Sequence, residues 1–295
     1  MHLLLTGASG FLGQSLCREL AAEHTLTGLW HSHEPQLPGV RLLRLDLTDH
    51  AAVTALFASE HFDAVLHTAA LSDPNACQRD PDLSRRINVD ATAHLAGLCA
   101  ERALPLAFTS TDLVFDGQQG LYAEDAPTSP LSIYGTHKVA AEAAVLGLHP
   151  AAVVCRMPLM YGRSVPGARC FLDGMLTAAH HGEILRLFTD EFRSPANAAD
   201  AAGGLLLALS TGTRGVLHLG GPERISRYRF GEIFAKVLAE LGGWPGVRLQ
   251  PVRQADIAMA AARPPDVSLR SDRATALGYA PDPVLAGLRR VLRGA

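Results

Sequence analysis

The segment Thr6-Gly-Ala-Ser-Gly-Phe-Leu-Gly13 constrains the fold of this chain more than any other. It follows the short apolar run His2 to Thr6 and precedes Leu12, Leu16 and Leu20 at four-residue spacing, so a buried strand turns directly into an amphipathic helix. At such a turn the first backbone amides of the helix have no partner within it, and the positive helix end favours an anion. A pyrophosphate suits that place. Gly7 permits the tight turn, Gly10 lets a phosphate approach the backbone, and Gly13 lets helix and strand pack closely. With Ser9, Phe11 and Leu12 from the same loop, they form the expected cofactor cradle. The competing reading, a tight strand-to-helix turn with no ligand, is weakened by the loop's place between a buried strand and an amphipathic helix.

The rest of the chain fits a parallel sheet. Expected strands at His2 to Thr6, Thr25 to Trp30, Val40 to Leu45, Asp63 to His67, Leu104 to Ser110 and Ala151 to Arg156 alternate with helical patterns, including Pro81 to Arg102 and Leu131 to Leu148. After Arg156 the order loosens. Gly162 to Gly167 reads as a loop, Asn197 to Leu209 as a helix, and Gly215 to Leu219 as a strand. Helical spacing of apolar residues from Phe230 to Leu241 lies between Ser226 and Gly242, which suit its two ends. The expected fold class is α/β, a doubly wound parallel sheet of the Rossmann type with a smaller C-terminal α/β substrate lobe. Its dinucleotide-binding domain would span residues 1–160, rejoined by 195–220; residues 161–194 and 221–295 would form the lobe.

A net charge of −3 without any block of basic residues argues against nucleic acid or an anionic membrane as partner, which leaves small molecules. Apolar residues make up 48% of the chain, yet no apolar run approaches the length of a membrane span, so a soluble protein is expected. Cys17, Cys77, Cys99, Cys155 and Cys170 are scattered without C-x-x-C spacing, which fits reduced thiols in a cytoplasm. No basic n-region precedes the N-terminal apolar run, so the mature chain is expected to start near Met1. His180-His181 has no companion at metal-ligand spacing, and no metal is expected. The oligomeric state has no marker in the sequence; a homodimer is compatible with it.

Two strand ends bear on the choice of cofactor. Where a carboxylate would bond the adenosine ribose, the second strand ends in Trp30-His31-Ser32-His33, without an acid. His31 and Ser32 can donate to a 2′-phosphate, so NADP is expected over NAD, with NAD still possible. After the third strand, Asp46 is placed to accept from the adenine amino group and Leu47 to pack on its ring. Thr48 or Asp49 can cap the following helix at the same time.

The chemistry-bearing residues come later. Thr111 stands at the end of the fifth strand, and strand carboxyl ends are where open α/β sheets bind ligands. Tyr134 and Lys138 are spaced i and i+4, on one face of the third helix. Reduction of a ketone requires a proton for its oxygen, and a free phenol with a pKa of about 10 supplies it poorly at neutral pH. A neighbouring ammonium would lower that pKa and hold the nicotinamide ribose, while Thr111 bonds the same substrate oxygen. Y-x-x-x-K alone is a common accident on helices; its order after a glycine loop and a hydroxyl-rich strand end makes it informative.

TGASGFLG, HTAA, STDLVFDG, YGTHK, RMPLMYG, RSPANAAD, HLGGPERISRYRFGE and ARPPDVSL together resemble the extended short-chain dehydrogenases/reductases, most closely the dTDP-4-dehydrorhamnose reductases. The resemblance covers nearly the whole chain. It implies a cleft between two lobes, with Ala69, Ala70 and Leu71 lining the cofactor. It further implies Tyr134 as general acid assisted by Lys138 and Thr111, and a nucleotide-linked 4-keto-6-deoxy sugar as substrate. Asp112 is followed by Leu113 rather than a second acid, which argues against a dehydratase. The missing acid near His31 argues against a nucleotide-sugar epimerase, which stays as an alternative. A second alternative is a non-catalytic NADP-binding subunit like the regulatory subunit of methionine adenosyltransferase. Asp190, Arg193 and Arg263 lie in family-like stretches, and an arginine there could meet a diphosphate or form an ordinary salt bridge. At Leu113 and Leu159 the relatives typically carry aromatic rings, so the substrate pocket is expected to differ there.

Overall fold

The computed structural model describes residues 1–164, 170–242, 244 and 246–293. Six short apolar segments form parallel strands, β1 (His2–Thr6), β2 (Thr25–Trp30), β3 (Val40–Arg44), β4 (Ala64–His67), β5 (Leu106–Thr111) and β6 (Val153–Met157). A seventh, β7 (Gly215–His218), returns from late in the chain to pair with β6. The order β7-β6-β5-β4-β1-β2-β3 reverses direction at β1 and β4, a topological switch point at the strand carboxyl ends. β1, β4 and β5 are buried along nearly their whole length, as strands covered by helices on both faces must be.

Two apolar layers sandwich the sheet. On one side Leu3, Leu5 and Leu66 meet Leu12 and Leu16 of the helix Phe11–Leu20 and Ala201, Leu205 and Ala208 of the helix Ala198–Ser210. On the other, Leu4, Val65 and Phe108 meet Leu95 and Cys99 of the helix Ala91–Glu101 and Ala141 and Val145 of the helix Ile133–Leu148. A separate core gathers Tyr161, Leu172, Phe230, Phe234 and Leu288 around the helix Arg227–Leu241. Beside it Ile184–Phe188 pairs in parallel with Arg248–Val252. Ala274 and Tyr279, far along in sequence, pack into the first core rather than the third. No described helix is long and apolar enough to cross a membrane.

The helix expected from Pro81 to Arg102 is not continuous. Asp73 and Asp80 each cap a short helix with a proline at its start, Pro74–Arg79 and Pro81–Arg85, and Arg86–Asp90 forms a π-turn before the helix Ala91–Glu101. Within that π-turn Asn88 is buried and clasps Leu71, accepting from its N–H at 2.9 Å and donating to its carbonyl at 3.0 Å. Elsewhere the boundaries shift by a residue or two. β5 runs on through Thr111, and Ser132 caps the helix Ile133–Leu148 by accepting from the Gly135 N–H at 3.2 Å. Gly162 to Ser164 carry no regular structure, and the remainder of the loop expected through Gly167 lies outside the described residues.

Candidate active site

One cleft of about 860 Å³ runs across the carboxyl ends of the strands. At its floor Gly10 caps the helix Phe11–Leu20 with no side chain, which leaves the first-turn amides facing the cleft. Gly7 takes φ +75°, and a Cβ there would lie 2.7 Å from the Ala69 nitrogen. A Cβ on Gly13 would fall 2.1 Å from the Gly7 carbonyl oxygen, so only glycine allows this packing. Ser9, Phe11 and Leu12 line the same floor, and a dinucleotide pyrophosphate fits its donors.

At the adenosine end His31 and Ser32 are exposed and bonded to each other, Oγ to Nδ1 at 3.1 Å. Asp46 stands 3.6 Å from His31 Nε2. Its carboxylate accepts from the Thr48 N–H and hydroxyl, which, with His31 near, hold its pKa below the usual value. Asp46 and Leu47 both line the cleft, while Asp49 caps the next helix by accepting from the Ala52 N–H at 3.0 Å. Arg44 on β3 donates to the His31 carbonyl at 3.2 Å and lies over the Trp30 ring.

Ala69, Ala70 and Leu71 form the wall beyond β4. They are fixed by Asn88 from one side and by Thr6 from the other, whose hydroxyl accepts from the Ala69 N–H at 3.2 Å. Thr6 also bonds His67 Nδ1 at 2.7 Å, and His67 Nε2 bonds Thr92 at 2.9 Å. Burial first, then the nearby Lys138, push His67 down to about 3, so this chain is neutral at physiological pH.

Thr111, Tyr134 and Lys138 are buried and line the cleft together. Their electrostatics differ from the sequence expectation. The Tyr134 phenol is pushed up, chiefly by burial and secondly by Asp112, with the Thr111 hydroxyl acting in the opposite sense. Lys138 is not among the groups that lower it. The ammonium donates to the Thr109 carbonyl at 2.6 Å and lies 4.0 Å from the centre of the Phe108 ring. Burial brings Lys138 down to about 7, against a weaker upward pull from Glu142.

The far end of the cleft is charged. Asp112 accepts from the Thr111 hydroxyl at 3.2 Å and faces Arg193 Nε at 3.7 Å. Burial lifts Asp112 to about 6, against the pull of Arg193. Arg193 also meets Glu191 at 3.4 Å and donates to the Phe192 and Pro264 carbonyls, so it is a paired, buried arginine. Arg227 lies 3.9 Å from Glu191 and over the Phe171 ring. Burial is the main reason it drops to about 10. Arg227 Nη1 and Arg263 Nε are buried and have no protein partner among the described residues. Leu113 and Leu159 supply apolar wall beside them.

The family model described as RmlD substrate binding domain matches residues 1–293. The chain belongs to this family. The resemblance to dTDP-4-dehydrorhamnose reductases read from its motifs is borne out. It is 33% identical to the dTDP-4-dehydrorhamnose reductase of Mycobacterium tuberculosis, covering 95% of this chain and 88% of that one. It is 28% identical to methionine adenosyltransferase 2 subunit beta of Xenopus laevis, over 98% of this chain and 86% of the relative. In fold it is similar to the crystal structure of dTDP-4-dehydrorhamnose reductase from Bacillus anthracis in complex with NADP. That likeness has a TM-score of 0.84 and 23% identity, covering 100% of this chain and 99% of the other.

Within this RmlD-family chain the cleft collects every residue assigned from the sequence to cofactor, chemistry or substrate, from Gly7 to Arg263, whereas Asp190 lies outside it and accepts from the Gln254 N–H at 3.1 Å. Sequence reasoning passed over Asn88, Glu191 and Arg227. Asn88 carried no signal, because a buried asparagine in a helical pattern looks like any polar surface position. Glu191 and Arg227 lie 36 residues apart, and neither shows a partner until the strands Phe192–Arg193 and Ile225–Ser226 pair.

Proposed function

We propose that this protein is a reductase of the short-chain dehydrogenase/reductase type that uses NADPH to reduce a keto group, on a nucleotide-linked 4-keto-6-deoxy sugar. The observation that carries this reading is the shared cleft, with the glycine floor at one end and Thr111, Tyr134 and Lys138 beside it. When bound, the nicotinamide supplies the hydride. Gly7, Ser9, Gly10, Phe11, Leu12 and Gly13 hold the pyrophosphate, and Ala69 to Leu71 wall off the nicotinamide side. Asp46 and Leu47 take the adenine, while His31, Ser32 and the neighbouring Arg44 meet the 2′-phosphate. Tyr134 gives its proton to the substrate oxygen, Thr111 bonds that oxygen, and Lys138 holds the ribose. Burial of Thr111, Tyr134 and Lys138 limits water at the proton transfer. Arg263 and Arg227, with N–H groups unpaired by protein, receive the substrate's anionic end, and Arg193 keeps Asp112 in place.

In this assignment residues 1–160 and 195–220 bind the dinucleotide and residues 161–194 and 221–295 bind substrate, except that Ala274 and Tyr279 belong structurally with the first unit. The setting assigned is the cytoplasm. Leu113 and Leu159 replace rings that would stack on a sugar or meet its hydroxyls, so dTDP-4-dehydrorhamnose is not the best substrate. NADPH oxidation measured across a panel of nucleotide-linked 4-keto sugars tests both parts. No turnover with any of them sinks the reductase reading. A kcat/KM near 10⁴ M⁻¹s⁻¹ or above for dTDP-4-dehydrorhamnose, ordinary for a natural substrate, sinks the substrate distinction. The similarity to a methionine adenosyltransferase subunit favours one other reading, a non-catalytic dinucleotide-binding subunit. It predicts tight NADPH binding with no oxidation of NADPH by any ketone.

A further inference from the structure

Thr111 is the last residue of β5 and caps the short 3₁₀ turn Asp112–Val114 that follows it. Its hydroxyl oxygen accepts from the Leu113 N–H at 3.2 Å, and its proton goes to Asp112 Oδ1, also at 3.2 Å. A hydroxyl has one proton and two lone pairs, so a single lone pair is left for a ligand. Bonded in this way, Thr111 can accept from a substrate but has no proton for a ketone oxygen, which is itself only an acceptor.

Entry of a ketone does not by itself turn the hydroxyl round. A hydrogen bond to a charged acceptor is about twice as strong as one to a neutral acceptor, so a carboxylate at Asp112 keeps the proton. The obstacle disappears when Asp112 is a neutral acid. An O–H on Oδ1 then donates to the Thr111 oxygen, whose two lone pairs are filled by Asp112 and by the Leu113 N–H, and the Thr111 proton is free for the cleft.

The surroundings of Asp112 favour that form. The residue is 4% exposed, and its Oδ2 is buried with no hydrogen-bond partner among the described residues. Arg193 Nε faces this oxygen from 3.7 Å, too far for a hydrogen bond. The rest of that guanidinium is engaged elsewhere, Nη1 by the Phe192 and Pro264 carbonyls and Nη2 by Glu191. A buried carboxylate oxygen without a donor costs more than the carbonyl oxygen of a neutral acid. Three further groups act here from other elements: Glu191 opposes the Asp112 charge, Arg227 is attracted to it, and the Tyr134 phenol is kept protonated in part by it. Burial outweighs Arg193, which leaves Asp112 at about 6.

We propose that Asp112 is a positioning residue that sets the direction of the Thr111 hydroxyl. As a carboxylate it holds the proton and leaves Thr111 an acceptor; as a neutral acid it donates to Thr111 and turns that proton to the carbonyl oxygen of the substrate. Thr111 then shares this oxygen with Tyr134. Tyr134 alone transfers a proton, so Asp112 ends the reaction with the proton it began with. This rests on the reductase reading for its use, though not for the infrared part of its test.

Difference infrared spectra between the native protein and Asp112→Asn isolate the Asp112 carboxyl and need no turnover. A carboxylic-acid band should appear as pH falls through about 6, and in Thr111→Val it should shift, because its O–H has lost its acceptor. Kinetics with NADPH and the 4-keto sugar turned over fastest supply the second readout. The amide of Asp112→Asn donates to Thr111 at every pH. The ratio of its kcat/KM to the native value should therefore rise by about 10²-fold between about pH 5 and pH 8, roughly the worth of one oxyanion donor. Lys138 titrates in both proteins and cancels in the ratio. An acid band that never appears, or one that Thr111→Val leaves in place, overturns the proposal, and so does a flat ratio in a protein that turns over. Failure of both variants to fold would make the pair a structural clamp and overturns it as well. A titrating band sensitive to Thr111→Val, in a protein that oxidises NADPH with no ketone, sinks the reductase reading alone.

Discussion

The two ends of the cleft solve the same problem, polar groups under burial, in opposite ways. Beneath the glycine loop burial pushes His67 and Lys138 towards their neutral forms, and hydrogen bonds link the buried groups. Thr6, His67 and Thr92 form such a chain, and Lys138 is pulled down to about 7. At the other end Asp112, Glu191, Arg193 and Arg227 stay close together as carboxylates and guanidinium groups. The first end recognises its ligand through backbone amides and shape, which demand particular glycines. The second end depends on charge pairing, in which each member is tolerable only while the others are present.

Tyr134 lies at the junction, and its replacement should produce the largest effect. Tyr134→Phe is expected to lower kcat by about 10² to 10⁴, the reach of general acid catalysis, with little change in the Kd for NADPH. Matched loss of cofactor affinity in a titration calorimeter would show that the two ends are not separable at this residue.

Removing Arg193 tests the charged end. Arg193→Met leaves Asp112 and Glu191 buried without their shared guanidinium, at a cost of about 3–5 kcal/mol in unfolding free energy. Asp112 has its folded pKa raised above the unfolded value of 3.8, to about 6, so its favourable contribution is present below pH 4 and is lost as pH rises through 6. The penalty in Arg193→Met should therefore be smaller at pH 4 than at pH 7 in urea titrations. A penalty independent of pH would mean that packing, not charge, holds this end.

Lys138→Met tests the neutral end. Lys138 falls from an ordinary 10.5 to about 7 in the folded protein, so between those values the unfolded chain binds more protons and stability rises with pH. Across that window the native protein should gain about 4 kcal/mol relative to Lys138→Met. Parallel stability curves for the two proteins would place the folded pKa of Lys138 near the ordinary one.

The smallest effect is expected at the exposed rim. His31→Asp puts a carboxylate where the 2′-phosphate would sit and should move the ratio of NADPH to NADH affinity by about tenfold towards NADH, close to 1.4 kcal/mol. An unchanged ratio at matched salt would remove His31 and Ser32 from cofactor choice and leave Arg44 as the group to replace next.

How far the site could be read from sequence follows the same division. Gly7 was legible because the turn needs its positive φ, and Gly10 and Gly13 because a Cβ on either would meet the backbone of the loop itself; the further clash of a Gly7 Cβ with Ala69 is tertiary. The i, i+4 spacing of Tyr134 and Lys138 was legible because helix geometry alone makes them neighbours. Lys138 as the charge that lowers the Tyr134 pKa was not a safe step. Helix spacing brings side chains together without saying where their tips turn, and this tip turns to Thr109. The break in the helix expected from Pro81 was hidden for a similar reason: the π-turn places Asn88 against Leu71, a tertiary contact.

The sequence by itself determined the fold class, the strand-to-helix loop and the face carrying Tyr134, Lys138 and Glu142, because each depends on periodicity or on steric limits within a few residues. Only the tertiary structure decided which charges would be buried together. Asp112 meets Arg193 across 81 positions and Arg156 meets His218 across 62, and no local rule ranks such partners. Their pairing is selected by the shared cost of losing water, which arises only once the strands and the second lobe have closed over them.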